Sequence, residues 1–316
     1  MAEPTAPTTS ERLSVRVGAG LSPFQRGAGA ESLWDFVETL EKVGYDSIWL
    51  SDSPYRGGLA PLPALAAIAA RTERLKLGTN VLVMPPRNPL SLARELASVD
   101  VISSGRLLPA GGLGIDLPHE LEAMGIRREE RAARLEESLA IVRELWAGGP
   151  VSRRGRFWNL TDVTLSPTPH RGRLEFWFGG RAPAALRRIG RIADGWLGSF
   201  VGPEEFGAGV ELIRAAATDA GRTIDEDHYG TTIWSAPSPD EVTPQAAALL
   251  DRRPDLARRD HVACGAEETA ALLDRFLAMG ATKFVLIPVA ADPGAWLREL
   301  YEPVIAPRER SGAAPR

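Results

Sequence analysis

Apolar positions along the chain switch repeatedly between two periods. Short runs of β-type residues alternate with longer segments whose apolar residues recur every three or four positions, the pattern of a parallel sheet built from βα units. The first run, 13–19 (LSVRVGA), stops at Gly20; Leu33, Phe36, Val37, Leu40 and Val43 then repeat at helical spacing until Gly44. A strand over 47–51 (SIWLS) precedes a helix near 61–71, and a strand over 76–83 (KLGTNVLV) precedes one near 90–102. The fourth strand, 106–110, leads into the glycine-rich loop GGLGIDLPHE and an amphipathic helix around 129–146. Over 150–173 the pattern breaks into polar and aromatic pieces with Pro167 and Pro169, which predicts an insertion packed over the main core. It resumes with strands over 174–178, 195–197, 229–236 and 283–289, and with helices over 182–193, 204–220, 267–279 and 293–304; 237–261 is helical in part. Eight strands, each followed by a helix, predict an α/β fold, a (β/α)8 TIM barrel with an insertion region, whose chemistry sits in the loops after the C-terminal strand ends.

This count needs one domain, over 12–306, with the insertion at about 150–173, a disordered leader over 1–11 and a flexible tail over 307–316. The leader has neither an apolar core nor a basic start, so it reads as no secretory signal and the expected location is cytoplasmic. No apolar run approaches the roughly 20 residues of a membrane span. With 37 basic and 41 acidic residues interspersed and a net charge of -4, there is no electrostatic footprint for nucleic acid. One cysteine, Cys264, excludes an internal disulfide framework and a multi-cysteine zinc site.

Most familiar motifs are missing. GAGLSP after the first strand has proline where a dinucleotide fingerprint needs its third glycine, and no GK[ST] follows any glycine cluster. His119, His170, His228 and His261 are far apart, without i, i+4 partners, so no metal is expected. A G-x-S-x-G elbow is absent as well. What remains is GGRAPAALRR: a strand end, a glycine turn and a helix start, with Gly179, Gly180 and the following amides at a positive helix terminus that suits a phosphate. Ala182 lacks a hydroxyl, so the amides of Gly180, Arg181 and Ala182, with the Arg181 guanidinium, would hold it. The same glycines also suit a plain tight βα turn.

SIWLSDSP, KLGTNVLVMPPRNPLSLARELASVDVISSGRLL and FWFGGRAPAALRRIGRIADGWL, read together, resemble the luciferase-like monooxygenase superfamily and, within it, the branch of coenzyme F420-dependent oxidoreductases. The resemblance runs over 13–289, and it also implies a (β/α)8 barrel with an insertion. It implies that Gly179 to Ala182 meet the phosphate of a flavin or deazaflavin. Asn80 and Val81 would back the ring through a non-proline cis peptide, and Gly111 and Gly112 would allow close backbone approach. At the end of strand two many F420-dependent relatives carry Asp-His; this chain carries Asp52-Ser53. A serine hydroxyl hydrogen-bonds a developing oxyanion but is a poor general acid, so His119 in the loop after strand four is the candidate substitute, beside Asp116 and Glu120 as possible relays. Trp49, Trp177, Trp196 and Trp234 are candidates for lining a ring pocket or for packing.

The resemblance implies hydride exchange between F420 and a small organic substrate. An FMN-dependent two-component monooxygenase, supplied by a separate reductase, uses the same scaffold and stays open as an alternative. A noncatalytic flavin- or F420-binding protein is the third, on the strength of the missing histidine. A homodimer is the implied assembly.

Overall fold

The computed structural model describes residues 14–21, 30–53, 58–242, 244–251 and 253–312; the leader expected over 1–11 lies outside them. In chain order the elements begin β1 (Arg16–Leu21), α1 (Ala30–Val43), β2 (Ser47–Leu50), α2 (Pro61–Ala69), β3 (Lys76–Thr79), β4 (Leu82–Val83) and α3 (Pro89–Ile102). There follow β5 (Leu107–Leu108), β6 (Ala110–Gly112), α4 (Pro118–Ala123), α5 (Arg131–Trp146), β7 (Val151–Arg154), β8 (Asn159–Val163), β9 (Trp177–Gly179) and α6 (Pro183–Ile192). The remainder is β10 (Gly195–Gly198), α7 (Pro203–Asp219), β11 (Tyr229–Ala236), α8 (Pro244–Leu250), β12 (Val262–Cys264), α9 (Ala266–Ala278), β13 (Lys283–Pro288), α10 (Pro293–Leu300) and α11 (Ala306–Gly312).

The fold is α/β. One curled, parallel sheet runs β4-β6-β9-β10-β11-β13-β1-β2-β3-β5, with β12 alongside β11. Alternation along its strands separates two apolar layers. Phe284 and Leu286 of β13 join the large cluster beneath the helices, whereas Val285 and Ile287 face Trp49, Ala110 and Leu197 in a second cluster. Proline opens α2, α3, α4, α6, α7 and α10, where its missing N–H costs nothing and its fixed φ suits the first turn. The strand expected as 76–83 comes in two pieces, and Asn80 and Val81 form the break. Thr79 Oγ1 spans it, donating to the Ala110 carbonyl and accepting from the Ala110 amide, both at 2.8 Å. The fourth strand is split likewise at Pro109 and runs on to Gly112.

The insertion contains the antiparallel pair β7-β8. Its turn is fastened to α5 by Glu137, whose carboxylate accepts from the amides of Arg156, Phe157 and Trp158, each at 3.1 Å. Two expectations need correction. The strand placed at 174–178 starts at Trp177, because Leu174 to Phe176 is drawn aside by Asp194, which accepts from the Phe176 amide at 2.9 Å. The tail expected to be flexible over 307–316 is helical as far as Gly312, with 313–316 outside the described residues: Glu309 accepts from the Val17 amide at 2.9 Å, and Arg308 pairs with Asp274 at 2.6 Å. Those partners are far away in sequence, so no local period announces the helix.

At the N-terminal ends of the strands, Lys283 Nζ sits 2.7 Å and Lys76 Nζ 3.2 Å from the buried Asp46 carboxylate. Burial alone would raise the Asp46 pKa, but the two ammonium groups outweigh it and hold the carboxyl at about 2.

Candidate active site

The opposite ends of the strands, their C-terminal ends, surround a cavity of about 780 Å³. Asp52, Ser53, Asn80, Val81, Gly112, Gly179, Gly180, Arg181 and Ala182 all line it, as do Asp116 and Glu120. Gly111 and His119 do not. A Cβ on Gly111 would come within 2.4 Å of Met84 Sδ and 2.7 Å of Phe176, so this glycine serves packing below the cavity. His119 is exposed on α4, outside the lining, because its helix turns Glu120 inward in its place.

Val81 forms part of the cavity wall. Its peptide bond to Asn80 is cis, as the resemblance implies. Its two methyl groups fill the space beside the neighbouring strands: a Cβ on Gly112 would lie 2.7 Å from Cγ2, and one on Gly179 would lie 2.9 Å from Cγ1. The two glycines therefore let Val81 seat as a closed apolar surface. Asn80 is fixed from both sides, its amide donating to the Leu50 carbonyl at 2.8 Å and its Nδ2 to Thr232 Oγ1 at 3.1 Å.

Asp52 is engaged rather than poised. Its Oδ2 accepts from the Val83 amide at 3.0 Å and from Arg87 Nη2 at 2.8 Å, with the side chain only 6% exposed. Arg87 Nε returns to the Val83 carbonyl at 3.1 Å. The carboxylate thus fixes the end of β4, and of the Asp52-Ser53 pair the serine is the group that lines the cavity without a charge to neutralise.

The turn at 179–182 is shaped for an anion. Gly180 has φ +127°, a conformation that favours glycine, and its carbonyl is pulled back by Trp196 Nε1 at 2.8 Å. Across the planar trans peptide the Arg181 N–H points the opposite way. The ten-residue α6 follows with no side-chain cap on its first amides, so the helix end is open to a negative group. Among the described residues four arginines line the cavity. Arg131 pairs with Asp116 at 3.2 Å, Arg188 with Glu136 at 2.8 Å, and Arg253 with Asp255 at 2.9 Å and Glu205 at 3.2 Å. Arg181, on the turn, holds no ion pair among the described residues.

Thr232, Ser199, Phe200, Arg131, Arg188 and Arg253, which no motif singles out, also line the wall. Phe200 has φ +56°, rare for a bulky aromatic residue, and Arg253 Nη1 grips its carbonyl at 2.6 Å. No local pattern links positions 53 residues apart. Of the four candidate tryptophans only Trp234 lines the cavity. Trp49 donates to Ser47 Oγ at 2.9 Å, Trp196 stacks on Phe206 at 4.8 Å, and Trp177 packs on His228 at 5.3 Å. Asp194, in the Ala-Asp-Gly-Trp turn, pairs with Arg143 at 2.6 Å and Arg173 at 3.2 Å and is structural. Asp225, Asp227 and His228 bring ligand atoms within 4.8 Å of one another just before β11, away from the cavity.

The luciferase-like monooxygenase model matches residues 12–281. An F420-dependent glucose-6-phosphate dehydrogenase of Microbacterium testaceum is 36% identical over 215 residues, 63% of this chain and 62% of that protein; the chain thus spans less than two thirds of that relative. One of Amycolatopsis mediterranei is 29% identical over 317 residues, 88% of this chain and 94% of that protein. An F420-dependent secondary alcohol dehydrogenase with an F420-acetone adduct superposes with a TM-score of 0.78 at 19% identity, covering 91% of this chain and 98% of that one. The oxygenating component of 3,6-diketocamphane monooxygenase from Pseudomonas putida, with FMN, gives 0.75 at 20% identity, covering 93% and 98%. At such identities the structures speak for the fold alone, and among the described residues no helix is long and apolar enough to cross a membrane. With its model matched over most of the sequence, the chain belongs to the luciferase-like monooxygenase family.

Proposed function

We propose that this chain is an F420-dependent oxidoreductase that exchanges a hydride between the deazaflavin and a small organic substrate. The observation that carries it is the joining, in one cavity, of the Val81 surface and the uncapped 179–182 turn with its unpaired Arg181. Similarity to F420-dependent dehydrogenases over 88% of the chain supports F420 as the cofactor. When bound, the cofactor supplies two-electron hydride chemistry.

The residues present fit that group. Val81, seated against Gly112 and Gly179, would support the ring; Arg181 and the amides of Gly180 to Ala182 would hold the phosphate. Asp52 is a positioning residue, since it fixes Val83 and Arg87 rather than facing the cavity with a free carboxylate. Ser53 would donate a hydrogen bond to the substrate oxygen and stabilise charge there. His119 takes no part, being exposed on α4 outside the cavity, and Gly111 acts only through packing. The curled sheet supports closure as a (β/α)8 barrel: β3 and β4 are pieces of one interrupted strand, as are β5 and β6, with β3 paired to β5 and β4 to β6, an arrangement that favours bringing the two ends of the sheet together. A cytoplasmic homodimer is part of the proposal. Leu90 and Val101, exposed on α3 and three helical turns apart on one face, support a partner there.

The second reading is an FMN-dependent two-component monooxygenase served by a separate reductase, favoured by the fold shared with the FMN-bound camphane monooxygenase component. Anaerobic oxidation of reduced F420 with substrate supports the first reading, and substrate-dependent oxygen uptake with reduced FMN the second. Tight F420 binding without turnover on any reducible compound would leave only a noncatalytic binder.

A further inference from the structure

The charged lining of the cavity is already compensated from within. Arg131, Arg188 and Arg253 each hold a carboxylate, and Asp52 is held by Arg87. Among the described residues no lysine or histidine lines the cavity. Arg181 is left, on the turn where the proposed cofactor places its phosphate. A second phosphate entering the cavity would meet no unpaired cation among the described residues. Drawing Arg253 to it would strip Glu205 and Asp255 and release the Phe200 carbonyl, and separating such partners is costly where the side chain is only 8% exposed.

The apolar side of the cavity is built with more care. Phe200 keeps its left-handed backbone because Arg253 holds the carbonyl, and bulky residues in such conformations are sustained by their surroundings, often at ligand clamps. Its ring lies 5.9 Å from Trp234 and 6.4 Å from His261. His261 is buried, which pushes its pKa down and keeps it neutral. Leu113, Ile115 and Ile287 continue the apolar lining, while Ser53 and Ser199 offer hydroxyls.

We propose that the second ligand of this cavity is an uncharged molecule with an aromatic or branched aliphatic body and one hydrogen-bonding oxygen, seated against Phe200 and Trp234, and not a sugar phosphate. This rests on the cofactor reading, which assigns Arg181 to the cofactor, and it parts from the substrate in the names of the dehydrogenase relatives.

The test is equilibrium binding. F420 loading is first established by fluorescence, and the loaded protein is then titrated calorimetrically with 4-phenylbutan-2-one and with glucose 6-phosphate. The ketone is expected to bind at least about tenfold more tightly, and Phe200→Asn, which accepts a left-handed backbone, to weaken it by about tenfold or more. Trp234→Leu repeats the test at the neighbouring ring. Glucose 6-phosphate binding as tightly as the ketone, ketone affinity insensitive to both variants, or no binding of the ketone would overturn the proposal. Failure of F420 itself to load would remove the cofactor reading alone; the same titration on FMN-loaded protein, or the dependence of ketone binding on Phe200 and Trp234 in cofactor-free protein, then decides the ligand class.

Discussion

Arg181→Ala separates the anion site from the fold. The side chain is exposed and holds no ion pair among the described residues, so its loss leaves the packing of α6 intact and the melting temperature should move by no more than a degree or two. A charge-assisted contact from an exposed guanidinium to phosphate is screened by solvent and worth ~1–2 kcal/mol. That converts to a rise of about 5–30-fold in the Kd for F420, since 1.4 kcal/mol is a factor of ten. The backbone amides and the helix end remain, so binding should weaken and not vanish. Fluorescence titration at two ionic strengths reads both parts: salt should weaken the wild type more than the variant, because the variant has lost the screened component. An unchanged Kd, or equal salt dependence in the two proteins, would refute the placement of the phosphate at this turn.

Gly112→Ala puts a methyl group where it must displace Val81, at 2.7 Å from Cγ2; F420 affinity should fall about tenfold or more, by loss of roughly the contact of one apolar side chain, while circular dichroism stays native. Asp52→Asn removes the charge that faces Arg87 across 2.8 Å, and should destabilise the protein by ~1–3 kcal/mol in urea unfolding and lower kcat with it; full stability and activity would show that the pair positions nothing. For Asp46 the sign follows from its lowered pKa of about 2: the stabilisation is fully present above the unfolded carboxyl value near 4 and is lost as pH falls toward 2. The stability difference between wild type and Asp46→Asn should therefore shrink by about 2 kcal/mol across that window, and a constant difference would show that Asp46 is not the titrating group.

The parts of the molecule legible in the sequence are those with a local cause. The short β-type run of β11 marks its ends at Tyr229 and Ala236, and the glycine turn before α6 was visible because a backbone at φ +127° next to a helix start leaves few choices of residue. The break in the third strand was marked only by the family resemblance at Asn80-Val81, and that in the fourth was hidden, because Thr79 and Ala110, 31 residues apart, complete each other's hydrogen bonds. β12 escaped notice since three residues carry no period, and α11 because its ties to Val17 and Asp274 are remote. In the site, Ser53 and Val81 could be placed from the segments flanking them, whereas Phe200 and Arg253 belong together only through tertiary contact. α4 turns His119 outward and Glu120 inward, a distinction that loop composition does not encode.

The central claim is tested most directly by titrating purified, cofactor-free protein with F420 and with FMN, each oxidised and reduced, and following fluorescence. The account predicts selective binding of F420, abolished or strongly weakened by Gly180→Asp, which adds a negative charge at the turn and a Cβ 3.0 Å from that of Ala185. Selective binding of reduced FMN, or binding of neither, would contradict it.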